Sequence, residues 1–397
     1  MSGIPRSRRD SPHVLVDARF AARKRGGDRC RYELARYLVR EAAGQYTFLC
    51  YKETEGLLRG QTGARTVTTP FAPSDHPGYD LLEHVGLPLL GRRIDSDIYH
   101  GTFNVIPLVP AARATVVTVH DLAVFAFPQA YGKRFAPYMR ALISAGIRRA
   151  ARIITVSDAT KGEIARYFPG LEHKTVTILN GVGDEFIAAA TLPLTEVTSV
   201  ARRLRITTPY VLFVGNLEPK KNLARLIQAF QALRSSTDLP HTLVVVGERP
   251  TGLDSGLYTG QQSGEQHVVH FTGYVDDGSL PALYRGAALV AYPSLYEGFG
   301  MPVLEGMAVG TPVLTSSVSS LPEVAGGAAM LVDPLSVDDI AAGLYRALTD
   351  QAWRETAVRV GRARAAALSW EANARRTVAL YHELWGEMGA RKTAAKG

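Results

Sequence analysis

The sequence predicts an α/β protein built from two doubly wound domains, each with a parallel sheet between layers of helices. The chain has 397 residues, which is more than one hydrophobic core usually organises. Short runs rich in β-branched residues alternate with helical patterns, as is typical of parallel α/β sheets. The alternation stops once, between Ala188 and Thr208, and then starts again. We therefore expect the domain linker in this segment.

The first domain is predicted to span residues 13–200, after a flexible basic tail at residues 1–12. Its first helix has Leu34 and Leu38 on one stripe, and Gly44 follows as a stop signal. Six segments are predicted as strands because each is short, rich in β-branched residues and ended by polar residues or glycine. They are HVLVDA, QYTFLCY, SDIYHG, ATVVTVHD, RIITVSD and KTVTILNGV.

The second domain is predicted to span residues 201–370, and its first strand, YVLFVG, begins at Tyr210. We expect Asn222 to cap the next helix, whose apolar stripe extends from Leu223 to Leu233 at helical spacing. The further predicted strands are HTLVVVGE, HVVHFTGYV, ALVAYPS, TPVLTS and AAMLVDP. Residues 371–397 are predicted to form a last helix and a tail.

The composition is that of a globular protein without a membrane span. Hydrophobic residues make up 46% of the chain and charged residues 21%, which argues against disorder. No apolar run approaches the roughly 20 residues that a membrane-spanning helix requires. The only cysteines are Cys30 and Cys50, so neither a disulfide framework nor a cysteine zinc site is expected. We therefore expect a cytoplasmic protein.

The net charge of +8 has two explanations that the sequence leaves open. One is an arginine-rich composition, and the other is attraction to an anion, which could be a phosphorylated substrate, a nucleic acid or an acidic lipid surface. The densest mixture of basic and apolar residues is Lys133–Ile154. It is either an amphipathic helix packed on a sheet or a surface that faces an anionic membrane. The second interpretation would place the protein at the inner face of the plasma membrane.

A lysine pair follows the first strand of the second domain, in the segment VGNLEPKKNLARLI. Ligands of open α/β sheets bind at the carboxyl ends of the strands, and Lys220 and Lys221 lie at such an end. Helix N-termini favour negative charge, so a lysine pair is unexpected there unless a phosphate binds to it and to free backbone N–H groups. Solvated loop lysines are the alternative.

The segment SLYEGFGMPVLEG follows another predicted strand and places two glutamates around a glycine-rich turn. Glu297 precedes a helix that begins near Met301, and Glu305 lies about one turn inside that helix. Pro302 suits the first helical turn, and Gly300 allows the backbone to approach a ligand closely. Since carboxylates accept hydrogen bonds from hydroxyl groups, the two glutamates are predicted to bind two sugars, or a sugar and a ribose. Solvated surface acids are the alternative.

His120 and Asp121 end a predicted strand of the first domain, in VVTVHD. Such a histidine is either a proton handler or hydroxyl binder, or a hydrogen-bonded structural residue.

Asp95 and Asp97 are spaced like a metal-binding pair, but they precede a strand, so we interpret them as a turn. The sequence has no G-x-x-x-x-G-K-[ST] loop, no zinc spacing and no dinucleotide fingerprint. We therefore expect neither a metal nor a resident cofactor.

Together, these segments resemble the retaining, metal-independent GT-B glycosyltransferases of family 4, in particular the mannosyltransferase-like branch. The similarity extends from Val14 to about Tyr381. It implies two Rossmann-like domains that face each other across a cleft, an N-terminal domain for the acceptor and a C-terminal domain for the nucleotide sugar. A final helix would cross back to the first domain. The resemblance is carried by VGNLEPKKNLARLIQAF, FTGYV, LYRGAALVAYPSLYEGFGMPVLEGMAVGTPVLTSSVSSLPEVAGGAAMLVDP, YHGTFNVIPL, VVTVHDLAVFAFP, IITVSDATKGEI and ILNGVGDEF.

The resemblance also implies roles for individual residues. Glu305 would accept hydrogen bonds from the ribose of the nucleotide, Glu297 would bind the donor sugar and Lys221 would neutralise the diphosphate. His120 would lie beside the donor sugar and complete a catalytic set with Glu297 and Lys221. The other donor-binding residues implied in this way are Asn180, Gly181, Asn216, Lys220, Gly298, Phe299, Gly300 and Met301.

Two positions depart from the family pattern. Asn216 stands where an arginine often follows the strand glycine, so Lys220 is expected to supply the second positive charge. In the loop GGDRCRY, Asp28 and Cys30 stand where glycines are usual. The residues of this loop that are expected near the acceptor or a phosphate are Gly26, Gly27 and Tyr32.

The resemblance therefore implies a hexosyltransferase whose co-substrate is a nucleotide sugar. We predict transfer of mannose from GDP-mannose to a saccharide, lipid-linked or natural-product acceptor. The alternatives are a UDP-sugar-dependent transferase of glucose or N-acetylglucosamine, a sugar-nucleotide epimerase or phosphorylase, and a non-catalytic binder of nucleotide sugars or polyanions. No nucleic acid partner is expected, and peripheral contact with an anionic membrane stays open.

Overall fold

The computed structural model describes residues 11–19, 27–41, 46–62, 64–69, 82–247 and 268–394. The chain divides into two compact units. The first unit consists of Met1–Gly181 and Trp370–Gly397, and the second consists of Val182–Ser369. Each unit has its own parallel sheet with connecting helices, so the predicted α/β class with two doubly wound domains is confirmed.

The described part of the first unit contains a seven-stranded parallel sheet. Its strands are β1 (Val14–Asp17), β2 (Tyr46–Tyr51), β3 (Arg65–Thr69), β4 (Ile98–Gly101), β5 (Ala114–Val119), β6 (Arg152–Thr155) and β7 (Thr175–Thr177). They lie in the order β3-β2-β1-β4-β5-β6-β7. The order reverses between β1 and β4, and ligands of open α/β sheets commonly bind at such a reversal.

The helices of this part of the first unit connect successive strands. They are α1 (Gly27–Glu41), α2 (Glu55–Thr62), α3 (Leu87–Ile94), α4 (Ala123–Ala126), α5 (Phe135–Arg149) and α6 (Asp158–Tyr167). The central strands are fully buried at Leu15, Val117 and Ile153. This two-sided burial explains why their sequences are continuously apolar and do not alternate with polar residues.

The described part of the second unit contains a six-stranded parallel sheet. Its strands are β8 (Tyr210–Val214), β9 (Thr242–Val246), β10 (Val269–Gly273), β11 (Leu289–Tyr292), β12 (Val313–Ser316) and β13 (Ala329–Val332). They lie in the order β10-β9-β8-β11-β12-β13. The reversal lies between β8 and β11. The loops that follow these two strands contain the lysine pair and the start of SLYEGFGMPVLEG, respectively.

The helices of the second unit follow the same alternation. They are α7 (Asp184–Ala189), α8 (Leu194–Arg203), α9 (Leu223–Ser236), α10 (Leu280–Gly286), α11 (Met301–Val309), α12 (Leu321–Ala325), α13 (Val337–Thr349) and α14 (Gln351–Ala367). The last helix, α15 (Trp370–Ala394), returns to the first unit and packs against α1. There, the Tyr381 hydroxyl lies 2.5 Å from Nδ1 of the buried His100. The predicted return of the final helix is thereby confirmed.

The division between the units falls earlier in the chain than the predicted boundary at residue 200. The second unit already begins at Val182, and it ends at Ser369, next to the predicted boundary at residue 370. The reason is packing, because α7 and α8 lie against α10 and α11. The Phe186 and Tyr284 rings meet edge to face with centroids 5.5 Å apart. The segment predicted as a linker thus contributes helices to the second core.

The basic segment Lys133–Ile154 contains all of α5 and most of β6. Ile143, Gly146 and Ile147 of α5 are buried, so the predicted packing of an apolar stripe is observed. The other face of α5 leaves Phe135 50% exposed and Tyr138 43% exposed. The helix therefore packs in the fold and still presents aromatic and basic side chains to solvent.

Candidate active site

The lysine pair lies in a short 3-10 turn, Pro219–Lys221, between β8 and α9. Asn222 begins α9 in the left-handed region, with φ of 61°, and makes no side-chain capping hydrogen bond. Its Oδ1 accepts a hydrogen bond from Arg225, while its Nδ2 donates to the carbonyl oxygens of Pro293 at 2.9 Å and Pro334 at 2.6 Å. Asn222 therefore occupies the predicted N-cap position, but its side chain does not cap the helix. The Asn222 side chain instead connects the lysine turn to the loops after β11 and β13.

Four side chains form one hydrogen-bonded cluster at the carboxyl ends of β8 and β11, which we call the carboxylate cluster. It comprises Lys221, Tyr292, Ser294 and Glu297. Oε1 of Glu297 accepts hydrogen bonds from Lys221 Nζ, the Tyr292 hydroxyl and Ser294 Oγ, each at 2.7 Å. Lys221 Nζ also donates to the Tyr292 hydroxyl at 2.8 Å. The structure thus brings the predicted Lys221 and Glu297 into direct contact.

The charges of the carboxylate cluster follow from its surroundings. Burial by itself would raise the pKa of Glu297, but the charges of Lys221 and Lys220 and hydrogen bonds from Lys221 and Ser294 bring it below its ordinary value. Burial and the Glu297 charge raise the pKa of Tyr292 well above its ordinary value. At neutral pH the glutamate is therefore ionised and the phenol is a donor. Because the pKa of Glu297 is lowered, its stabilisation of the fold is lost only as the pH falls through the lowered value.

The turn between Glu297 and α11 is held in one conformation by its neighbours. Gly300 has φ of 108°, and a Cβ at this position would lie 2.6 Å from Cδ2 of Leu321. Ser320 Oγ contacts the carbonyl oxygens of Glu297 at 2.9 Å and Phe299 at 2.8 Å. This side-chain anchoring fixes the backbone of the predicted donor-binding residues from Gly298 to Met301, as a preorganised binding loop requires.

Glu305 lies on α11 and is only 4% exposed. Its negative charge contributes to the raised pKa of Tyr292, after burial and the effect of Glu297. Because Glu305 is buried, its interpretation as a solvated surface acid is wrong. The Lys220 charge also acts on Glu297, and the Lys220 carbonyl oxygen lies 2.9 Å from Ser294 Oγ. Asn216 is exposed directly after β8.

His120 lies in the first unit, directly after β5. Its Nε2 is 2.9 Å from the carbonyl oxygen of Thr102, so Nε2 carries the proton and Nδ1 of the neutral ring is an acceptor. Burial lowers the pKa of His120; the Thr102 hydrogen bond opposes this effect, and the Arg31 charge adds to it. The imidazole is therefore neutral at pH 7. Asp121 is engaged locally, since its Oδ1 accepts a hydrogen bond from the Ala123 amide at 3.1 Å.

The remaining predicted site residues also belong to the first unit. Asn180 is buried, and its Nδ2 donates to Sγ of Cys30 at 3.6 Å. Gly181 is the last residue of Met1–Gly181, the longer of the two segments that make up the first unit. Gly27 begins α1 and Tyr32 is buried in it. The predicted Gly26 lies outside the described residues.

Tyr292 and the serines of the cluster and its loop are functional candidates that the motifs did not single out. Tyr292 is the last residue of an otherwise apolar strand, and its hydroxyl contacts both Lys221 and Glu297. In the sequence, the one feature that could have indicated this role is the position of Tyr292 at the end of a strand. Ser319 and Ser320 come from SVSSLPEV, a polar segment after β12 whose anchoring role depends on contacts with a turn more than 20 residues earlier.

A metal site and a membrane span have no candidates in the described ranges. Those ranges contain no group of three or more histidine, cysteine, aspartate or glutamate side chains placed to hold a metal ion. Asp95 ends α3 in the left-handed region, and Asp97 accepts a hydrogen bond from the His13 amide at 3.1 Å. Both thus serve the chain turn before β4, as predicted. None of the helices described is long and apolar enough to cross a membrane.

Two family descriptions match the chain, and together they cover both units. "Glycosyl transferases group 1" matches residues 198–365, and "Glycosyltransferase Family 4" matches residues 25–186. The O-antigen chain mannosyltransferase B of Escherichia coli is 35% identical over 72% of this chain and 74% of its own length. The serotype-specific mannosyltransferase WbdA of Escherichia coli is 31% identical over 59% of this chain, but only over 28% of its own length.

Solved structures share the fold at lower sequence identity. The Anabaena protein Alr3699/HepE, whose crystal structure is in complex with UDP and glucose, is 18% identical to this chain and superposes with a TM-score of 0.70. The superposition covers 93% of this chain and 98% of that protein. With the sheet orders of the two units, this similarity confirms the predicted fold of two Rossmann-like domains of the GT-B type.

Proposed function

Because the chain belongs to the group 1 and family 4 glycosyltransferases, we propose that it transfers mannose from GDP-mannose to a saccharide, lipid-linked or natural-product acceptor. Membership of this family makes the protein a transferase enzyme. The choice of mannose is supported by relatives that are mannosyltransferases. The observation that carries the proposed chemistry is the carboxylate cluster with its Lys221–Glu297 pair.

In the proposed reaction, Lys221 stabilises the negative charge that develops on the departing diphosphate. An ammonium group has three N–H donors. Tyr292 and Glu297 accept two of them within the described residues, which leaves the third for a phosphate oxygen. A preorganised donor of this kind typically lowers the barrier by about 3–4 kcal/mol.

Glu297 and Glu305 are proposed to bind different parts of the donor. Three donors already contact Oε1 of Glu297, so we assign its Oε2 to hydroxyl groups of the transferred sugar. Glu305, buried on α11, is assigned to the ribose hydroxyls. Both roles need an ionised acceptor, and the lowered pKa of Glu297 supports this state.

The transfer is proposed to retain the anomeric configuration and to need no metal ion. A same-face displacement, in which the leaving phosphate takes the proton of the acceptor hydroxyl, requires no nucleophile from the protein. The neutral His120 supports a role in hydroxyl binding, because its Nδ1 accepts hydrogen bonds while Nε2 is bound to Thr102. Lys220 and Lys221 are proposed to supply the positive charge that a metal ion supplies in other transferases.

The donor, the stereochemistry and the metal requirement are tested in one assay. We expect the purified enzyme to turn over GDP-mannose faster than UDP-glucose, UDP-N-acetylglucosamine or other GDP-sugars, equally well with and without EDTA. Proton NMR of the product should show the anomeric configuration of the donor. Preference for a UDP-sugar would overturn the proposed donor, an inverted anomer would overturn the mechanism, and loss of activity in EDTA would overturn metal independence. Epimerisation without an acceptor would indicate an epimerase.

We also propose a peripheral contact between α5 and anionic lipid, which would bring a lipid-linked acceptor close. No acidic residue occurs between Asp121 and Asp158, and α5 exposes Phe135 and Tyr138 beside arginines. Aromatic and basic side chains on one exposed helix face favour the surface of an anionic bilayer.

Cosedimentation with vesicles tests this contact. We expect binding to vesicles rich in phosphatidylglycerol and little binding to phosphatidylcholine vesicles. The double variant Phe135→Ser/Tyr138→Ser should weaken binding severalfold, since each aromatic ring contributes buried apolar area. As a matched control, Tyr345→Ser removes an exposed aromatic side chain from the second unit. Equal binding of both variants and the unmodified protein would exclude α5 as the contact.

A further inference from the structure

A recess in the first unit contains side chains for which the proposed reaction has no role. It lies among the carboxyl ends of the strands from β4 to β7, between α1 and α15. Its empty volume is about 320 Å³ when counted out to solvent. The narrow interior accommodates about one water molecule, so only one end of a ligand fits inside. His120 and Asn180 form part of the wall, and Trp370 lines it from α15.

The lining of the recess, as far as the structure describes it, contains a positive charge but no acidic side chain. Arg31 lines it, and the lining contains no aspartate, glutamate or lysine within the part of the chain that the structure describes. The Arg31 guanidinium lies over the Phe103 ring, 4.4 Å from its centroid, and Nη1 is 3.3 Å from Oδ1 of Asp28 outside the lining. Burial lowers the pKa of His120, and the Arg31 charge lowers it further. The Arg31 charge thus acts inside the recess and favours an anion.

Two N–H groups of this wall are buried without an acceptor among the described residues. They are Nε1 of Trp370, a residue that is only 1% exposed, and Nε of Arg31. Leaving a buried donor unpaired costs about 1–3 kcal/mol, and native proteins rarely do so without a reason. Asn180 Nδ2 adds a donor whose partner, Sγ of Cys30 at 3.6 Å, is a weak acceptor. The recess therefore offers N–H donors that have no acceptor, or only a weak one, among the described residues.

We propose that this recess binds the oxygens of one phosphate group, with the indole N–H of Trp370 and the guanidinium of Arg31 as donors. Arginine suits this ligand because its planar fork matches the geometry of phosphate oxygens. The site goes beyond the proposed transfer, since no step of that reaction uses Arg31 or Trp370. The phosphate group comes either from the nucleotide diphosphate or from a phosphorylated acceptor. Water alone in the recess is the outcome that contradicts the proposal.

The indole N–H of Trp370 provides a direct test that needs no enzymatic activity. The chain has three tryptophans, so ¹⁵N-indole labelling gives three resonances, and Trp370→Phe assigns the relevant one. We expect inorganic phosphate, titrated at constant ionic strength, to shift this resonance saturably, while chloride does not. Arg31→Gln should weaken the apparent affinity about tenfold or more, and Arg31→Lys should restore part of it.

The matched control is Arg375→Gln, which removes an exposed arginine of α15 that pairs with Glu371 in the same unit. It should leave the phosphate titration unchanged, and melting curves of all variants identify any that fail to fold. A Trp370 resonance that does not respond to phosphate, or that responds equally in folded Arg31→Gln, would overturn the proposal. Because no turnover is measured, an inactive enzyme or a different donor leaves this result unaffected.

Competition identifies the source of the phosphate group. If GDP reproduces the Trp370 shift and displaces inorganic phosphate, the site binds the donor diphosphate. If GDP has no effect and mannose 6-phosphate reproduces the shift, the site binds a phosphorylated acceptor. Both results support a phosphate site. A shift produced equally by unphosphorylated mannose would contradict it, because the recess would then bind hydroxyl groups without regard to charge.

Discussion

Lys221→Met is expected to lower kcat about 100- to 1000-fold, the effect of removing one preorganised donor from a developing oxyanion. Methionine has nearly the length of lysine but neither its charge nor its N–H groups, so the diphosphate would leave without this stabilisation. Steady-state kinetics with the preferred nucleotide sugar measures the loss. Lys220→Met is the neighbouring control, and we expect a smaller effect because the carboxylate cluster contacts Lys221 directly.

A loss of folding stability is the competing explanation for this result. Removing Lys221 leaves Glu297 as a buried carboxylate without its partner, and breaking a buried ion pair destabilises proteins by about 3–5 kcal/mol. The double variant Lys221→Met/Glu297→Gln removes both charges and should recover most of the melting temperature, while turnover stays low. Because Glu297→Gln lowers kcat by itself, the kcat of Lys221→Met is measured well below the melting temperature of that variant. A kcat equal to that of the unmodified protein would show that Lys221 acts only in the fold.

Tyr292→Phe tests how much the hydrogen bonds of the Tyr292 hydroxyl contribute to the effect of Lys221. It keeps the buried ring but removes the hydroxyl that contacts Lys221 at 2.8 Å and Glu297 at 2.7 Å. Since the Lys221–Glu297 pair itself remains, we expect only about a tenfold loss of kcat, because the two lost hydrogen bonds position Lys221 and do not stabilise the leaving diphosphate directly. A loss as large as that of Lys221→Met would mean that the phenol, and not the ammonium, carries the stabilisation.

Glu305→Gln is expected to weaken donor binding about 10- to 100-fold with little change in kcat, because a charged acceptor contributes about 1.5–3 kcal/mol to its hydrogen bonds. Glu297→Gln is the matched change at the other end of the motif, and it should chiefly lower kcat. The difference follows from their proposed partners, the ribose for Glu305 and the transferred sugar for Glu297.

Calorimetric titration with GDP tests this division without turnover. GDP contains the ribose but not the transferred sugar, so its Kd should rise in Glu305→Gln and stay nearly unchanged in Glu297→Gln. Kinetics with the complete donor then measures KM and kcat for both variants. Equal changes of both constants in the two variants would show that the glutamates act as one unit and would contradict separate roles.

Local patterns predicted most of the fold and much of the site. The alternation of strands and helices predicted both sheets, and the strand-end rule placed Lys221 and Glu297 at the reversal of the second one. The sequence did not reveal that these residues, 76 positions apart, share an ion pair at 2.7 Å. It also placed the boundary between the units too late, because helices α7 and α8 carry no strand pattern that links them to the second core.

The sequence by itself determined the fold class, the family and the motifs that bear the candidate chemistry. These properties depend on periodicity, turn residues and short spacings, which act over a few neighbouring positions. Only the tertiary structure showed that Tyr292 bridges the cluster, that Asn222 binds two carbonyls instead of capping, and that Arg31 and Trp370 line one recess. The physical reason is that side-chain contacts between distant segments depend on strand order and packing, which no local pattern contains.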